Sequence, residues 1–236
     1  MATEHIVKSF DDDLKALHGI ITEMGGLVGN ELQAALDALA NRDGDAAAAA
    51  TVTDEAVNKL EYDIEELAVR MIATRQPMAD DLRAIIAGLR ASGDLERAGD
   101  QAKNIANRVF TLVELPACGI ETAVLELGSL VNEMIGDAID AYVEQDVDKA
   151  EAVRARDVEI DRRYTEIFSE ILSLNAEDSS RATVCTHLNL IVRSIERIGD
   201  LATDVAEEAI FMTSGRIPKD DRSKADESFF VTQTDQ

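Results

Sequence analysis

Two twelve-residue stretches of the sequence match each other closely. Residues 95–106 read LERAGDQAKNIA, and residues 195–206 read IERIGDLATDVA. Six positions are identical, and three more are apolar in both stretches. Within each stretch a glutamate and an aspartate lie four residues apart, which places Glu96 with Asp100, and Glu196 with Asp200, on one face of an α-helix. An internal match of this kind indicates a duplicated structural unit.

The helices around these stretches are also arranged as two similar sets. Proline tends to mark helix ends, and Pro77, Pro116 and Pro218 are the chain's three prolines. Apolar residues recur at steps of three and four between these prolines and the polar turns. The pattern predicts helices over about residues 4–41, 46–74, 80–112, 119–145, 148–174 and 179–213, with Gly215 as a C-terminal cap.

Short turns force consecutive helices to run antiparallel. The predicted fold is therefore all-α, with two tandem, pseudo-symmetric antiparallel three-helix bundles. The predicted divisions are a first bundle over residues 1–115, a second over 116–214 and a flexible tail over 215–236. Phe229, Phe230 and Val231 form the one apolar cluster of this tail, which we interpret as unbound chain rather than a partner-binding motif.

Composition limits the classes of function. The formal net charge is -24, so the surface repels phosphate backbones and disfavours nucleic-acid binding, while it attracts cations and basic partners. Most individual acidic residues are expected simply to face water. No signal peptide and no apolar stretch long enough to cross a membrane is apparent. Cys118 and Cys185 form no CxxC pair, so we expect reduced thiols in a cytoplasmic protein.

The acid pairs of the repeat are the candidate functional residues. Two carboxylates held on one helix face repel each other, so one must be protonated or a cation must lie between them. A hard cation with oxygen ligands suits Glu96 with Asp100, and Glu196 with Asp200. Gly99 and Gly199 cost helix stability, which indicates a close approach by another helix. Asn104 and Asp204 extend the two faces by a further four residues.

Weaker candidate ligands lie on the second and fifth predicted helices. The sets have the same spacing and each lies on one helical stripe; they are Asp54, Asn58 and Glu61, and Asp157, Asp161 and Tyr164. If these stripes face the repeated acid pairs, each unit holds an oxygen-rich site. The alternative is that the stripes face water.

Several separated stretches together resemble the PhoU family. Residues 95–106 and 194–206 are similar to the family's repeated LERIGD motif, residues 24–28 (MGGLV) to its methionine-diglycine stretch, residues 75–83 (RQPMADDLR) to its RQP loop, and residues 54–61 (DEAVNKLE) to another family element. The resemblance covers about residues 5–214. Two departures are Ala98 in place of the motif's isoleucine, and Asp204 where the family usually has asparagine.

The resemblance implies a function in phosphate homeostasis. PhoU-family members are two symmetry-related three-helix bundles and act as negative regulators of phosphate uptake and of the phosphate-starvation response. They connect the ATPase subunit of the phosphate ABC transporter with a phosphate sensor histidine kinase. Some members bind iron or other metal clusters through the acidic motif, which transfers to Glu96, Asp100, Glu196 and Asp200. We also expect a homodimer, with neither nucleic acid bound nor direct membrane insertion.

Two other functions compete with a regulatory adaptor. One is a carboxylate-rich metal store or di-metal enzyme, but ferritin-like sites use Glu-x-x-His, and none of His5, His18 and His187 has a glutamate three residues before it. The other is a helical interaction protein whose acids are solvated. The sequence has no catalytic constellation and no cofactor-binding motif, so we expect a protein that is not an enzyme.

A basic stripe on the third predicted helix has two interpretations. Arg83, Arg90 and Arg97 recur every seven residues. They form either a partner surface or internal salt bridges, and we favour the salt bridges.

Overall fold

The chain folds into long antiparallel helices. The computed structural model describes residues 2–51, 54–218, 225–228 and 231 of the 236-residue chain. The helices are α1 (Ala2–Asn41), α2 (Gly44–Ala50), α3 (Asp54–Arg75), α4 (Asp80–Leu112), α5 (Glu121–Glu144), α6 (Val147–Glu177) and α7 (Ala182–Ser214), and a 3-10 turn (Ser179–Arg181) precedes α7. The predicted all-α class is confirmed. In the described part of the chain, no helix combines the length and apolarity needed to cross a membrane.

The second predicted helix is in fact two helices. Where we predicted one helix over residues 46–74, α2 ends at Ala50 and α3 begins at Asp54. The intervening residues 51–53 are Thr-Val-Thr. β-Branched side chains lose rotamer freedom in a helix, so this run weakens helical continuation after the alanines of α2. The short helix α2 therefore precedes the long helix α3.

The other helix ends lie close to their predicted positions. All three prolines lie outside the helices, and Gly215 caps α7 with a left-handed φ of 71° and an N–H that donates to the Phe211 carbonyl at 2.8 Å. One predicted turn, over residues 175–179, is shorter than expected because α6 continues to Glu177. Asp178 then accepts a hydrogen bond from the Ser180 N–H at 3.0 Å and starts the 3-10 turn.

The helices pack in two groups that meet along two contacts. Helices α1 to α4 pack against one another, as do α5, α6 and α7, and the groups meet where α1 contacts α5 and α4 contacts α7. One continuous apolar core of alanine, leucine, isoleucine and valine runs through both groups. Small side chains allow the close helix packing that such a core requires. The predicted domain boundaries at 115/116 and 214/215 stay predictions.

The contact between α1 and α5 shows a two-fold pseudo-symmetry. A Cβ atom added to Gly25 of α1 would lie 2.5 Å from Ile139 Cγ1 of α5, and one added to Gly128 of α5 would lie 2.5 Å from Leu36 Cδ2 of α1. Gly128 is numbered 103 higher than Gly25, and Ile139 is numbered 103 higher than Leu36, so the two contacts are equivalent. The glycine of each helix thus packs against the equivalent aliphatic residue of the other helix, as expected of a self-complementary contact between duplicated units.

Candidate functional site

The first acid pair of the repeat lies on α4 beside a buried glutamate. Glu96 is half-buried and Asp100 is exposed. Between them, Gly99 faces α1, where a Cβ atom on Gly99 would lie 3.4 Å from Glu31 Oε2 and 3.7 Å from Val28 Cγ2. Glu31 is only 3% exposed. The site of the first unit therefore includes a carboxylate on α1 that the sequence analysis did not include.

The third helix of the first unit contributes another carboxylate. The pKa of Glu61 on α3 is raised, first by burial and then by the negative charges of Glu96 and Glu65. Glu61 and Glu96 are therefore close enough to repel each other, as predicted for facing stripes. Asn58 lies half-buried one turn earlier on α3. The side chain of the remaining candidate, Asp54, lies outside the described residues.

These residues open into a groove between the two units. The groove has a volume of about 600 Å³ and lies between α4 and α7. Glu61 and Glu96 line it, together with Asp204 and Glu207 from α7. Asp204 was expected to extend the site of the second unit, but it shares this groove with residues of the first unit. This is a consequence of the α4–α7 contact, which the sequence pattern did not specify.

The second acid pair lies on α7 and faces α6. Glu196 and Asp200 are both half-buried. The pKa of Tyr164 on α6 is raised by burial, and the charges of Asp226 and Glu196 raise it further, while a hydrogen bond with Ser228 opposes the shift. Tyr164 and Glu196 are thus neighbours, as Glu61 and Glu96 are in the first unit. The predicted facing of the fifth and sixth helices agrees with this arrangement.

The weaker candidates on α6 are buried rather than solvated. Asp157 is 2% exposed and Asp161 is 1% exposed. The alternative that this stripe faces water is therefore wrong. Burying carboxylates costs free energy unless they are paired or hydrogen-bonded. For Asp161 one such bond is visible, because its Oδ2 accepts the Ala225 N–H at 2.8 Å.

The repeated glycines mark equivalent packing points but not the tightest ones. Gly99 faces Val28 and Val57, and Gly199 faces Val131 and Ile160, which are numbered 103 higher. The nearest of these neighbours would lie 3.4 Å from an added Cβ atom, which is ordinary van der Waals contact. The expected approach of another helix is present, but it leaves room for a methyl group.

The two sites are equivalent in position and different in chemistry. Residues of α1 and α3 have their counterparts on α5 or α6 at numbers 103 higher. Asn58 thus corresponds to Asp161, Glu61 to Tyr164 and Glu31 to Met134. The first unit therefore has a buried glutamate where the second has a thioether, and a glutamate where the second has a phenol. The two units therefore share the apolar residues that pack around Gly99 and Gly199 and differ in their polar residues.

The described acids do not form a ready-made metal centre. Among the described residues, no group of three or more His, Cys, Asp or Glu side chains is placed so that it could hold a metal ion. Glu96, Glu196 and Asp200 each have interactions of their own in this arrangement. A cation at either pair would therefore require the carboxylates to move, and metal binding stays a prediction.

Two buried glutamates were missed by the sequence analysis although a signal existed. Glu31 occupies the apolar stripe of α1 between Val28 and Ala35, and Glu208 occupies that of α7 between Val205 and Met212. A charged residue at a core-facing position of a helical stripe is unusual. A charged residue within an apolar stripe is therefore the sequence signal for both Glu31 and Glu208.

The arginine stripe on α4 forms internal interactions. Arg83 pairs with Asp80 and Arg97 pairs with Asp94. Arg90 lies 3.6 Å from Glu208 Oε1, and its guanidinium carbon lies 5.1 Å from the centroid of the Phe211 ring. The predicted internal salt bridges are confirmed.

Comparison with known proteins gives matches across most of the chain. The model of the PhoU domain family matches twice, at residues 21–109 and 124–209. A phosphate-specific transport system accessory protein PhoU homolog from Caulobacter vibrioides is 40% identical over 225 residues, which cover 95% of this chain and 98% of the relative. The homolog of the same name from Zymomonas mobilis is 40% identical over 221 residues, 93% of each chain.

Solved structures show the same architecture. The crystal structure of PhoU from Pseudomonas aeruginosa superposes with a TM-score of 0.85 at 34% identity and covers 88% of this chain and 100% of that chain. The phosphate transport system regulatory protein PhoU from Streptococcus pneumoniae gives a TM-score of 0.83 at 28% identity, with 89% of this chain and 99% of that chain covered. With two matches to the family model and 40% identity to relatives along nearly its whole length, the chain belongs to the PhoU family.

Proposed function

We propose that this chain is a negative regulator of phosphate uptake and of the phosphate-starvation response. It acts in the cytoplasm as an adaptor, without enzymatic activity, between the phosphate ABC transporter and the phosphate sensor histidine kinase. The observation that carries the proposal is the 40% identity, over 95% of the chain, to a relative named as an accessory protein of phosphate-specific transport. The net charge of -24 additionally favours basic partner surfaces.

Capture from membranes tests the adaptor function. Detergent-solubilised membranes from the native host, grown in high phosphate, are passed over the tagged full-length chain. The ATPase subunit of the transporter and the sensor kinase are both expected to be retained, and to elute as salt weakens the charge attraction. An unrelated helical protein of similar charge serves as the control for non-specific capture. Retention of neither partner above that control contradicts the adaptor proposal.

Metal binding is a separate proposal with its own test. We propose that Glu96 with Asp100, and Glu196 with Asp200, bind a divalent or iron cation after local rearrangement. The purified chain is titrated with Mn²⁺, Fe²⁺, Zn²⁺ and Mg²⁺, and bound metal is measured by elemental analysis. Changing Glu96 and Asp100 to Gln and Asn is expected to remove metal from the first unit only, because the two sites are separate.

A matched control for this titration is available on α5. Glu133 and Asp137 are also four residues apart, but Arg156 binds both of them. Neutralising this pair is expected to leave metal binding unchanged. A chain that binds none of the four metals would exclude metal binding without affecting the adaptor proposal.

We also propose that the chain forms a homodimer, which light scattering coupled to gel filtration tests. A dimer elutes with twice the chain mass of 25.6 kDa. A single species at the chain mass, at concentrations up to about 100 μM, would exclude a dimer with a Kd in the micromolar range.

A further inference from the structure

A short piece of the C-terminal region lies on α6. The Ala225 N–H donates to Asp161 Oδ2 at 2.8 Å, and the Glu227 N–H donates to Thr165 Oγ1 at 3.1 Å. The Ser228 side chain is a hydrogen-bond partner of Tyr164. The flexible tail predicted over residues 215–236 therefore has a defined contact within it. Phe229 and Phe230 lie outside the described residues.

The spacing of the donors matches the spacing of the acceptors. Asp161 and Thr165 are four residues apart on α6, which separates them by about 6 Å along the helix axis. Ala225 and Glu227 are two residues apart, and two residues of nearly extended chain span about 6.6 Å. The segment thus crosses one turn of α6 and runs in the direction of that helix. The N–H groups of Ala225 and Glu227 therefore meet acceptors on successive turns of α6.

Among the residues that the structure describes, this contact occurs in the second unit and not in the first. On α3 of the first unit the 103-residue relation places Asn58 where α6 has Asp161, Glu61 where it has Tyr164, and Tyr62 where it has Thr165. Asn58 and Glu61 are half-buried and Tyr62 is 68% exposed, whereas Asp161 is 1% exposed and Tyr164 is 4% exposed. The α3 face has a bulky exposed ring in place of the small hydroxyl acceptor. Within the described residues, the α6 face is therefore covered whereas the α3 face is partly exposed.

A turn follows the part of the segment that crosses α6. Asp226 Oδ1 accepts the Ser228 N–H at 2.8 Å, and the Val231 N–H donates to the Ser228 carbonyl at 3.3 Å. An aspartate that bonds the amide two residues ahead is a turn-forming arrangement that restricts the chain locally. Asp226 also places a negative charge beside Tyr164. The segment consequently covers the α6 face with a restricted backbone and adds charge there.

We propose that Ala225–Ser228 is an intramolecular strap that occupies the face of α6 formed by Asp161, Tyr164 and Thr165, so that a ligand of this face must first displace the chain's own C-terminal segment. No segment of the described chain occupies the equivalent face of α3. The strap makes the two halves of the duplicated fold functionally unequal. This inference stands apart from the proposed phosphate function and from metal binding, because it depends only on contacts within the chain.

Hydrogen exchange of the Glu227 amide in the full-length chain tests the strap. Because a hydrogen bond contributes about 1 kcal/mol, the amide is expected to exchange roughly fivefold more slowly than an unstructured one. Thr165→Val removes the acceptor while preserving side-chain shape, and Ala225→Pro removes the neighbouring donor without touching the bundle. Both are expected to return the Glu227 amide towards the unstructured rate. Ala225→Gly keeps the donor and Asn58→Ala changes the equivalent α3 position, so both controls are expected to keep the protection.

Chemical labelling of carboxylates tests whether the strap blocks the face. A water-soluble carbodiimide with an amine is expected to label Asp161 at least tenfold faster in Ala225→Pro than in Ala225→Gly. Glu61, on the equivalent face of α3, is expected to be labelled equally in both. An unstructured exchange rate for Glu227 in the unmodified chain, or an equal rate in Thr165→Val and the unmodified chain, would overturn the strap. Equal labelling of Asp161 in the two Ala225 variants would overturn the blocking of the face.

Discussion

Glu208 is a buried carboxylate whose protonation should control part of the stability of the chain. Its side chain is almost fully buried where α7 packs on α4, and Oε2 has no hydrogen-bond partner among the described residues. Burial raises its pKa to about 7; the nearby charges of Asp94 and Glu207 add to the rise, and Arg90, whose Nη1 lies 3.6 Å from Oε1, opposes it. The phenol of Tyr142 lies in the same region, and its own pKa is raised first by burial and then by the Glu208 charge.

The expected size and direction of the effect follow from these values. In the unfolded chain the Glu208 carboxyl ionises near 4.5, whereas in the folded chain it ionises near 7. Between these pH values the unfolded state loses its proton first, so the free energy of unfolding falls as pH rises. The difference between these two pKa values corresponds to about 3 kcal/mol. The destabilisation caused by the ionised Glu208 carboxylate is absent below pH 4.5 and complete above pH 7.

Urea unfolding followed by circular dichroism measures this contribution. The unmodified chain and Glu208→Gln are compared at pH 5, 6, 7 and 8, because other acidic groups titrate in both and cancel in the difference. The variant is expected to gain stability relative to the unmodified chain by about 1.4 kcal/mol per pH unit up to pH 7, and to hold that gain at pH 8. Glu170→Gln, at an exposed position of α6, is the control and should show a difference within about 0.5 kcal/mol throughout.

A difference that is constant between pH 5 and pH 8 would refute the raised pKa of Glu208. A variant that loses stability relative to the unmodified chain as pH rises would show that Arg90 stabilises the charged form more than burial destabilises it.

Three further predictions concern packing, thiol reactivity and helix capping. Gly25→Ala is expected to be about 1–3 kcal/mol less stable than Gly26→Ala in urea unfolding, because an added Cβ at Gly25 lies 2.5 Å from an isoleucine of α5 whereas Gly26 has nothing within 4 Å. Equal stabilities would exclude the close α1–α5 contact. Cys118 and Cys185 are free and buried, and burial raises the pKa of both thiols, so at pH 8 they should react with a thiol reagent at least about tenfold more slowly in the folded than in the unfolded chain. Fast reaction of both native thiols would contradict their burial. Asp146 accepts the N–H groups of residues 148 and 149 at 2.9 and 3.1 Å, so Asp146→Ala should cost about 1 kcal/mol of unfolding free energy, and an unchanged urea midpoint would show that this cap is not needed.

Much of the fold was predictable because local chemistry determines where helices end. Proline lacks the amide donor that a helix interior requires, and each proline lies outside the helices. Gly215 adopts the left-handed conformation for which a helix C-terminus favours glycine. The duplicated acid pairs indicated two equivalent units, and their placement on α4 and α7 agrees with that prediction. These features depend on residues close together in the sequence.

The chemistry of the sites was less predictable because it depends on which helices meet. Glu31 reaches Gly99 across the α1–α4 contact, and Asp204 joins Glu96 and Glu61 in a groove made by α4 and α7. The spacing of residues within one helix does not predict contacts between side chains of different helices. Asp161 is buried partly by a segment more than sixty residues later in the sequence, whose polar composition indicated only a flexible tail. Tertiary packing therefore determines which acids of an acidic chain are buried and which face water.

A genetic measurement in the native host tests the proposed regulatory function most directly. The gene for this chain is deleted, and a reporter of the phosphate-starvation response is measured during growth in high phosphate, with and without the gene restored on a plasmid. The proposal predicts strong reporter expression in the deletion strain and a return to repression when the gene is restored. A reporter that stays repressed in the deletion strain, together with unchanged phosphate uptake, would contradict the function proposed for this chain.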